Sequence, residues 1–428
     1  MVFLDRSTPP AQYPVTDIAL IAPRRRDLQN GIPLFIIDTP SLDLIHLTVD
    51  MDAGALHETQ KHVLSYAYLL LKESSPKHSA TEMDGLLDFY GATCNVSVTL
   101  ESVKIKITFP KKNVTDILPA IFEFLSTPHY REENLALFKN RRVKDLEYNS
   151  QKTSVRCSQL AKNALFGDGL AAGQFSTREN LMAVTIPQME QSHRETFCAE
   201  NIRMFATGNF DLALESCICR LFEQIPHGQA APKIHDLALF EGATSPLFEQ
   251  MPDSVQSSIM LCRPSLGYCD GQRRHLSILS TVTGGYFSSR LMQRLREKEG
   301  YTYGVYSDLT YFGNQSLFSI SGEVNAQSTQ AAIDACFEEM DRLCHEPIPD
   351  EEMVMVKHYM EGSLLRRVEN SVSYLKQYDD WHGYGLDETE FQRMLQQVND
   401  ITAEELMDLA KKFFKHNKFT QIIVGNFL

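Results

Sequence analysis

The chain has 428 residues, 43% of them hydrophobic, and a formal net charge of −14 at pH 7. This length is enough for two domains with sizeable cores, and the acidic balance disfavours nucleic acid as a partner. No apolar run approaches the roughly 20 residues of a membrane-spanning helix, and the N-terminus lacks a signal-peptide pattern. Nine scattered cysteines favour reduced thiols over a disulfide framework. We therefore expect a cytoplasmic protein with neither a membrane nor a nucleic-acid partner.

The first half of the chain predicts alternating strands and helices. Residues 34–37 form an apolar run typical of a strand, and alternating apolar and polar side chains predict a second strand at residues 42–51. A strongly apolar helix is expected at residues 62–72. Ser79 and Glu82 form a capping-box pattern that begins the next helix. Further strands are predicted at residues 92–100, 103–109 and 202–210, and further helices at residues 114–125, 132–165 and 189–197.

In the second half, residues 286–303 predict a helix, a glycine turn and a strand. Phe287, Leu291 and Leu295 recur at i, i+4 and i+8, which predicts one buried helix face. Gly300 ends the helix, and the tyrosine- and valine-rich segment after it has strand propensity.

The second half also repeats the first. The segment from Val184 to Phe210 begins and ends with short motifs that recur at Ile401 and Phe427, both displaced by 217 positions (184 to 401 and 210 to 427). Two separate matches at one offset indicate a tandem duplication of an α+β domain, with a mainly antiparallel sheet flanked by helices in each copy. The predicted boundaries are residues 1–223 for the first domain, residues 224–245 for a linker rich in Pro, Gly and Ala, and residues 246–428 for the second domain.

Arg296 and Tyr303 lie seven residues apart, near the predicted helix end and on the following strand. With Ser289-Arg-Leu before them and Gly300-Tyr-Thr-Tyr-Gly-Val around the turn, this stretch resembles the insulinase/pitrilysin family of zinc peptidases, the inverzincins. The resemblance implies that Arg296 and Tyr303 bind substrate and stabilise the transition state, and that the two domains form half of a clam-shell chamber. From the residues alone, a surface helix whose basic last turn complements the helix dipole remains the alternative.

The zinc motif of that family is degenerate here. In the family, the first helix of the first domain carries His-x-x-Glu-His, where both imidazoles bind zinc and the Glu is the general base. Fitting the family pattern to this chain places the first His at Ser65, the Glu at Tyr68 and the second His at Leu69, and the distal Glu ligand at about Asp145. Ser, Tyr and Leu cannot form an imidazole-bound zinc site, and Tyr does not replace a carboxylate base near neutral pH. We therefore expect no metal in this chain.

His57 and His62 form a second candidate metal pair, because His57-Glu-Thr-Gln-Lys-His62 resembles His-Glu-x-x-His with one extra residue. Five residues apart, the two rings would diverge by about 140° on a helix, so they cannot share a metal unless the segment is non-helical. We expect solvent-exposed polar residues there instead.

The resemblance implies a non-metal subunit of a two-subunit zinc metallopeptidase, inactive alone. Zinc is expected in a homologous partner subunit of the heterodimer, and Arg296 and Tyr303 would act on the peptide substrate. Two alternatives stay open. One is a non-catalytic assembly or peptide-binding protein of the same fold, and the other is a stand-alone metallopeptidase using a site around His57 and His62.

Overall fold

The structure is a computed structural model that describes residue 15 and residues 18–232, 246–313 and 315–426. The first half has six strands: β1 (Arg24–Asp27), β2 (Pro33–Asp38), β3 (Leu44–Met51), β4 (Thr93–Val98), β5 (Val103–Pro110) and β6 (Ile202–Gly208). Its helices are α1 (Val63–Leu69), α2 (Ala80–Tyr90), α3 (Val114–Ser126), α4 (Glu132–Asn149), α5 (Thr153–Phe166), α6 (Arg178–Ala183), α7 (Ile186–Thr196) and α8 (Leu212–Phe222).

The second half has the strands β7 (Leu247–Gln250), β8 (Gln256–Ser265), β9 (Thr302–Phe312), β10 (Gln315–Asn325) and β11 (Thr420–Gly425). Its α-helices are α9 (Arg273–Ser280), α10 (Thr329–His345), α11 (Asp350–Arg366), α12 (Ser371–Gly383), α13 (Thr389–Asp400) and α14 (Ala403–Phe413). Two π-helical segments, Thr281–Gly285 and Met292–Lys298, lie between α9 and β9.

The two sheets have the same topology. Their strand orders are β1-β2-β6-β3-β5-β4 and β7-β11-β8-β10-β9, so the second sheet matches the first without β1. The pairs β2–β6 and β7–β11 are parallel, and the other neighbours are antiparallel. This repeated topology confirms a tandem duplication of an α+β fold. The domain boundaries stay a prediction, and residues 233–245, most of the predicted linker, lie outside the described residues.

Local sequence signals correctly predicted most of the elements. Ser79 and Glu82 form the expected capping box of α2, and Gly91 ends that helix in a left-handed conformation with φ +62°. The prediction of one long helix at residues 132–165 was wrong, because the helix is interrupted between α4 and α5. Ser150 Oγ donates to the Glu147 carbonyl there, which competes with helical backbone pairing.

Each half contributes one helix to the other half's sheet. Helix α12 packs on the first sheet, where the ring of Tyr378 lies 5.6 Å from that of Phe35. Helix α5 packs on β8 and β11 of the second sheet, and the ring of Phe166 meets that of Phe312 at 5.6 Å. The cores of the two halves are therefore shared. Among the described residues, no helix combines the length and apolarity that crossing a membrane requires.

Candidate functional site

Helix α1, where the family pattern places the zinc motif, is part of the first-half core and packs against α7. Ser65 Oγ donates to the His62 carbonyl at 3.1 Å, and Leu69 packs against the core. Tyr68 is fully buried, with its hydroxyl 2.7 Å from Thr196 Oγ1, and burial raises the pKa of this phenol above its ordinary value. Tyr68 thus serves as a packing residue that stays neutral.

Asp145, at the predicted position of the distal ligand, is exposed on α4. The four positions together offer one carboxylate and no imidazole, a donor set that does not fit zinc. Within the described ranges, no group of three or more His, Cys, Asp or Glu side chains could hold a metal ion.

The second candidate metal pair, His57 and His62, is occupied by contacts within the protein. His57 Nδ1 accepts from the Gly54 amide at 3.0 Å, so Nε2 carries the proton and donates to the Pro232 carbonyl at 2.9 Å. The expected exposure was wrong for His62, which is buried with φ +75°, and burial lowers its pKa to about 4. The Glu58 carboxylate accounts for the burial of His62, because it accepts a hydrogen bond from the His62 amide and holds the loop against the start of α1.

Arg296 lies in the π-helical segment Met292–Lys298. Leu291 and Leu295 are fully buried, as predicted, but Phe287 is 61% exposed, which corrects its assignment to the buried face. The helix begins only at residue 290, so helical spacing does not apply to Phe287. The guanidinium of Arg296 instead lies 4.7 Å from the centroid of the Phe287 ring, in a cation–π contact.

Tyr303 lies on β9, the edge strand of the second sheet, and is 87% exposed. Thr302 pairs with Val324 and Val305 pairs with Gly322, so Tyr303 and the residue after it lie together opposite a single residue of β10. This β-bulge changes the direction of a side chain, and both bulges and π-helical turns are frequent next to functional sites. Sequence periodicity predicts neither feature.

Among the described residues, Arg296 and Tyr303 lack the ion-pair or hydrogen-bond partners that their neighbours have. Arg290 pairs with Glu352 at 2.9 Å, and Arg294 pairs with Glu338 at 3.1 Å. In the part of the chain that the structure describes, Arg296 forms no ion pair, and the Tyr303 hydroxyl has no hydrogen-bond partner. A cation without an ion-pair partner and a phenol without a hydrogen-bond partner are available to bind a carbonyl or an oxyanion.

A cleft of about 990 Å³ between the two halves was missed by the sequence analysis. It is lined by residues of β3, β5 and β6 from the first half and of α9, β9 and α12 from the second. Of the predicted site residues, His57 lines it, whereas Arg296, Tyr303 and the four zinc-motif positions are not among its described lining residues. The alternation along β3 predicted Asp50 on the polar face, but Asp50 is fully buried and pairs with Arg203.

A buried charge cluster at one wall of this cleft joins the two halves. Arg203 on β6 binds Asp50 at 2.6 Å and also pairs with Asp52, while Lys104 on β5 binds Asp379 of α12 at 2.5 Å. Burial, together with the Asp50 carboxylate beside it, raises the pKa of Asp379 to about 8. The site can therefore hold a proton at neutral pH.

Known proteins resemble this chain in sequence over most of its length. Residues 183–360 match the family described as the peptidase M16 inactive domain. An uncharacterized zinc protease of Streptomyces coelicolor is 20% identical over 396 residues, which cover 91% of this chain and 86% of that protein. The non-peptidase homolog YmxG of Helicobacter pylori is 21% identical over 391 residues, covering 90% of this chain and 89% of the relative.

Solved structures resemble the fold closely. A peptidase M16 inactive domain from Pseudomonas fluorescens superposes with a TM-score of 0.86 at 19% identity, covering 95% of this chain and 98% of that chain. A protease from Helicobacter pylori gives 0.80 at 16% identity, covering 94% and 99%. These similarities confirm the resemblance seen in the sequence: residues 183–360 match the peptidase M16 inactive domain, and the whole chain has the fold of M16-like proteins.

Proposed function

We propose that this chain is the non-metal subunit of a two-subunit M16-type peptidase and presents Arg296 and Tyr303 to a peptide bound by a homologous, zinc-bearing subunit. The observation that carries the proposal is the pair itself. Arg296 lacks an ion-pair partner among the described residues, and Tyr303 is 87% exposed, in a chain whose α1 cannot bind zinc. The chain needs no cofactor of its own in this role.

The chemistry of the two side chains supports the proposal. Arg296 is always charged, and its planar guanidinium can donate two hydrogen bonds to a substrate carbonyl or backbone. The Tyr303 hydroxyl can donate to the oxyanion that develops during peptide hydrolysis. The exposed tyrosine beside a bulge and the arginine in a π-helical turn have no evident structural purpose. A role in assembly alone would require neither side chain, so their presence favours a role in binding substrate.

The names of the relatives differ in a way that bears on the proposal. The Streptomyces protein is called a zinc protease and the Helicobacter protein a non-peptidase homolog. Ser65, Tyr68 and Leu69 in α1 favour the second kind for this chain. The cytoplasmic location and the heterodimer belong to the same proposal, and fractionation of cells expressing a tagged chain tests the location.

The partnership is tested by co-expressing the tagged chain with a homologue that carries an intact His-x-x-Glu-His motif. We expect a stable complex on size-exclusion chromatography, with zinc in the partner. Absence of a complex with every such homologue of the same organism would favour the non-catalytic assembly or peptide-binding protein instead.

In the reconstituted complex, Arg296→Ala and Tyr303→Phe should each lower kcat for peptide hydrolysis by about 10²–10³-fold, while zinc content and association stay unchanged. Tyr306→Phe, on the same strand and 55% exposed, and Lys298→Ala, in the same π-helical segment, are the matched controls and should retain activity. If the double variant Arg296→Ala/Tyr303→Phe hydrolysed peptides at the wild-type rate, the pair would be structural and the proposal wrong.

A further inference from the structure

A second cavity, of about 520 Å³, lies apart from the cleft and from Arg296 and Tyr303. Its walls are formed by the loop before α1, the turn between β4 and β5, helix α5 and the loop after α5. The charged side chains among its described lining are Lys61 and Lys162, with no Asp or Glu. Two lysines on one cavity contrast with the chain's net charge of −14.

Among the described residues, neither of these two lysines forms an ion pair. Lys61 Nζ donates one hydrogen bond, to the Ala171 carbonyl at 2.7 Å, so two of its N–H groups remain. Burial lowers the pKa of Lys61 and Lys162 lowers it further, while Glu58 acts in the opposite direction. The Glu58 carboxylate already accepts two backbone N–H groups at the start of α1, and burial raises its pKa.

Neutral donors complete the cavity wall. The hydroxyls of Ser154, Ser158 and Ser176 line it and form no hydrogen bond within the described part of the chain. The first turn of α5 also faces the cavity at Ser154, and Lys152 at its N-cap supplies no side-chain hydrogen bond to the free backbone N–H groups. The positive end of a helix dipole adds to the attraction for an anion.

We propose that this cavity binds a small phosphorylated metabolite, with the phosphoryl group between Lys61 and Lys162. Two cations and several hydroxyl donors suit a dianion with three terminal oxygens better than a single carboxylate. Leu100 and Val155 provide an apolar wall for the organic part, and the volume is within the usual range for small-molecule sites. Because α5 packs on the second sheet, a bound ligand contacts both the loop before α1 and a helix that belongs to the core of the second half.

Isothermal titration calorimetry of the full chain at fixed ionic strength tests the proposal with inorganic phosphate, glucose 6-phosphate and glucose. We expect glucose 6-phosphate to bind at least tenfold more tightly than inorganic phosphate, and glucose not to bind. Lys162→Ala should weaken binding of the sugar phosphate by tenfold or more, because a hydrogen bond to a charged group is lost. Lys144→Ala, an exposed lysine on α4 away from the cavity, is the matched control and should bind as the wild type does.

Lys162 and Ser158 are exposed, so Lys162→Ala and Ser158→Ala should fold normally, and their melting temperatures without ligand check this. The proposal is overturned if neither phosphate compound binds, if inorganic phosphate binds as tightly as glucose 6-phosphate, or if Lys162→Ala and Ser158→Ala leave the affinity of the sugar phosphate unchanged. The cavity shares no residue with the surface of Arg296 and Tyr303, so failure here leaves the proposed peptidase role intact.

Discussion

At the scale of single residues, Tyr68 is a packing residue at the position in α1 where the family pattern places the general base. Its ring fills core volume beside His193, at 5.7 Å between ring centroids, and its hydroxyl bonds to Thr196. A carboxylate at this fully buried position would need a compensating charge, and α1 offers none at Ser65 or Leu69. The packing of α1 is therefore that of an ordinary core helix.

We predict that the purified chain binds no stoichiometric zinc, because both ring nitrogens of His57 are hydrogen-bonded and His62 lies buried apart from any ligand set in the described residues. Elemental analysis after dialysis should find well below one zinc per chain, and His57→Ala should not change the result. A content near one zinc per chain that is lost in His57→Ala would instead support the stand-alone metallopeptidase.

At the scale of elements, the two copies keep the same strand end. Gly208 ends β6 with φ +143°, and Gly425 ends β11 with φ +152°. A Cβ at Gly208 would lie 2.8 Å from the Leu44 carbonyl oxygen, and one at Gly425 would lie 2.6 Å from Ser257 Cα. Each glycine thus lets the terminal strand approach the neighbouring strand closely.

Gly208→Ala and Gly425→Ala should therefore each destabilise the fold by about 1–3 kcal/mol, through backbone strain and the contact with the neighbouring strand. The midpoint of urea unfolding measures the effect. Gly85→Ala, in the interior of α2 with open space at the added Cβ, is the control and should be neutral or stabilising by up to about 1 kcal/mol. A wild-type midpoint for either strand-end variant would contradict the argument.

At the scale of the whole molecule, the buried charge cluster and the exchanged helices join the halves. Four carboxylates, those of Asp50, Asp52, Asp379 and Asp380, face the two cations Lys104 and Arg203. This excess of negative charge, in a site where Asp379 is only 3% exposed, favours one bound proton. We therefore predict that the contact between α12 and the first sheet depends on pH.

The direction of the change in stability with pH follows from the pKa of Asp379. This pKa is raised to about 8 in the folded chain from about 3.9 in the unfolded chain. The folded state keeps a proton that the unfolded state releases, so this stabilisation is complete below about pH 4, decreases as the pH rises and is lost by about pH 8. The full shift of about four pKa units sets an upper bound of about 6 kcal/mol on the change, since one pKa unit is worth about 1.4 kcal/mol.

Asp379→Asn keeps the shape of the neutral acid and should flatten the decrease in melting temperature between pH 5 and pH 8.5. Asp380→Asn, on the same helix with a side chain that is 45% exposed, is the matched control and should keep the wild-type slope. Equal slopes for Asp379→Asn and the wild type would show that Asp379 does not carry the proton.

Much of this protein could be predicted from local pattern. Capping by Ser79, the turn at Gly91, the alternation along β3 and the repeat at 217 positions specify elements and duplication, because each depends on residues close in sequence or on a copied segment. The residue types at Ser65, Tyr68 and Leu69 also predict that α1 does not bind zinc. Buried Leu291 and Leu295 were predicted for the same reason.

Other features depended on contacts between distant residues, which no local period contains. The exchange of α5 and α12, the burial of Asp50 and His62, and the exposure of Phe287 follow from which elements meet in space. The bulge at Tyr303 and the two cavities likewise arise from strand register and from packing between the halves. The sequence by itself therefore determined the family resemblance and the duplicated fold, and it predicted the missing zinc ligands. Only the tertiary structure decided which charged groups are paired, buried or free, because pairing and burial are properties of the assembled core.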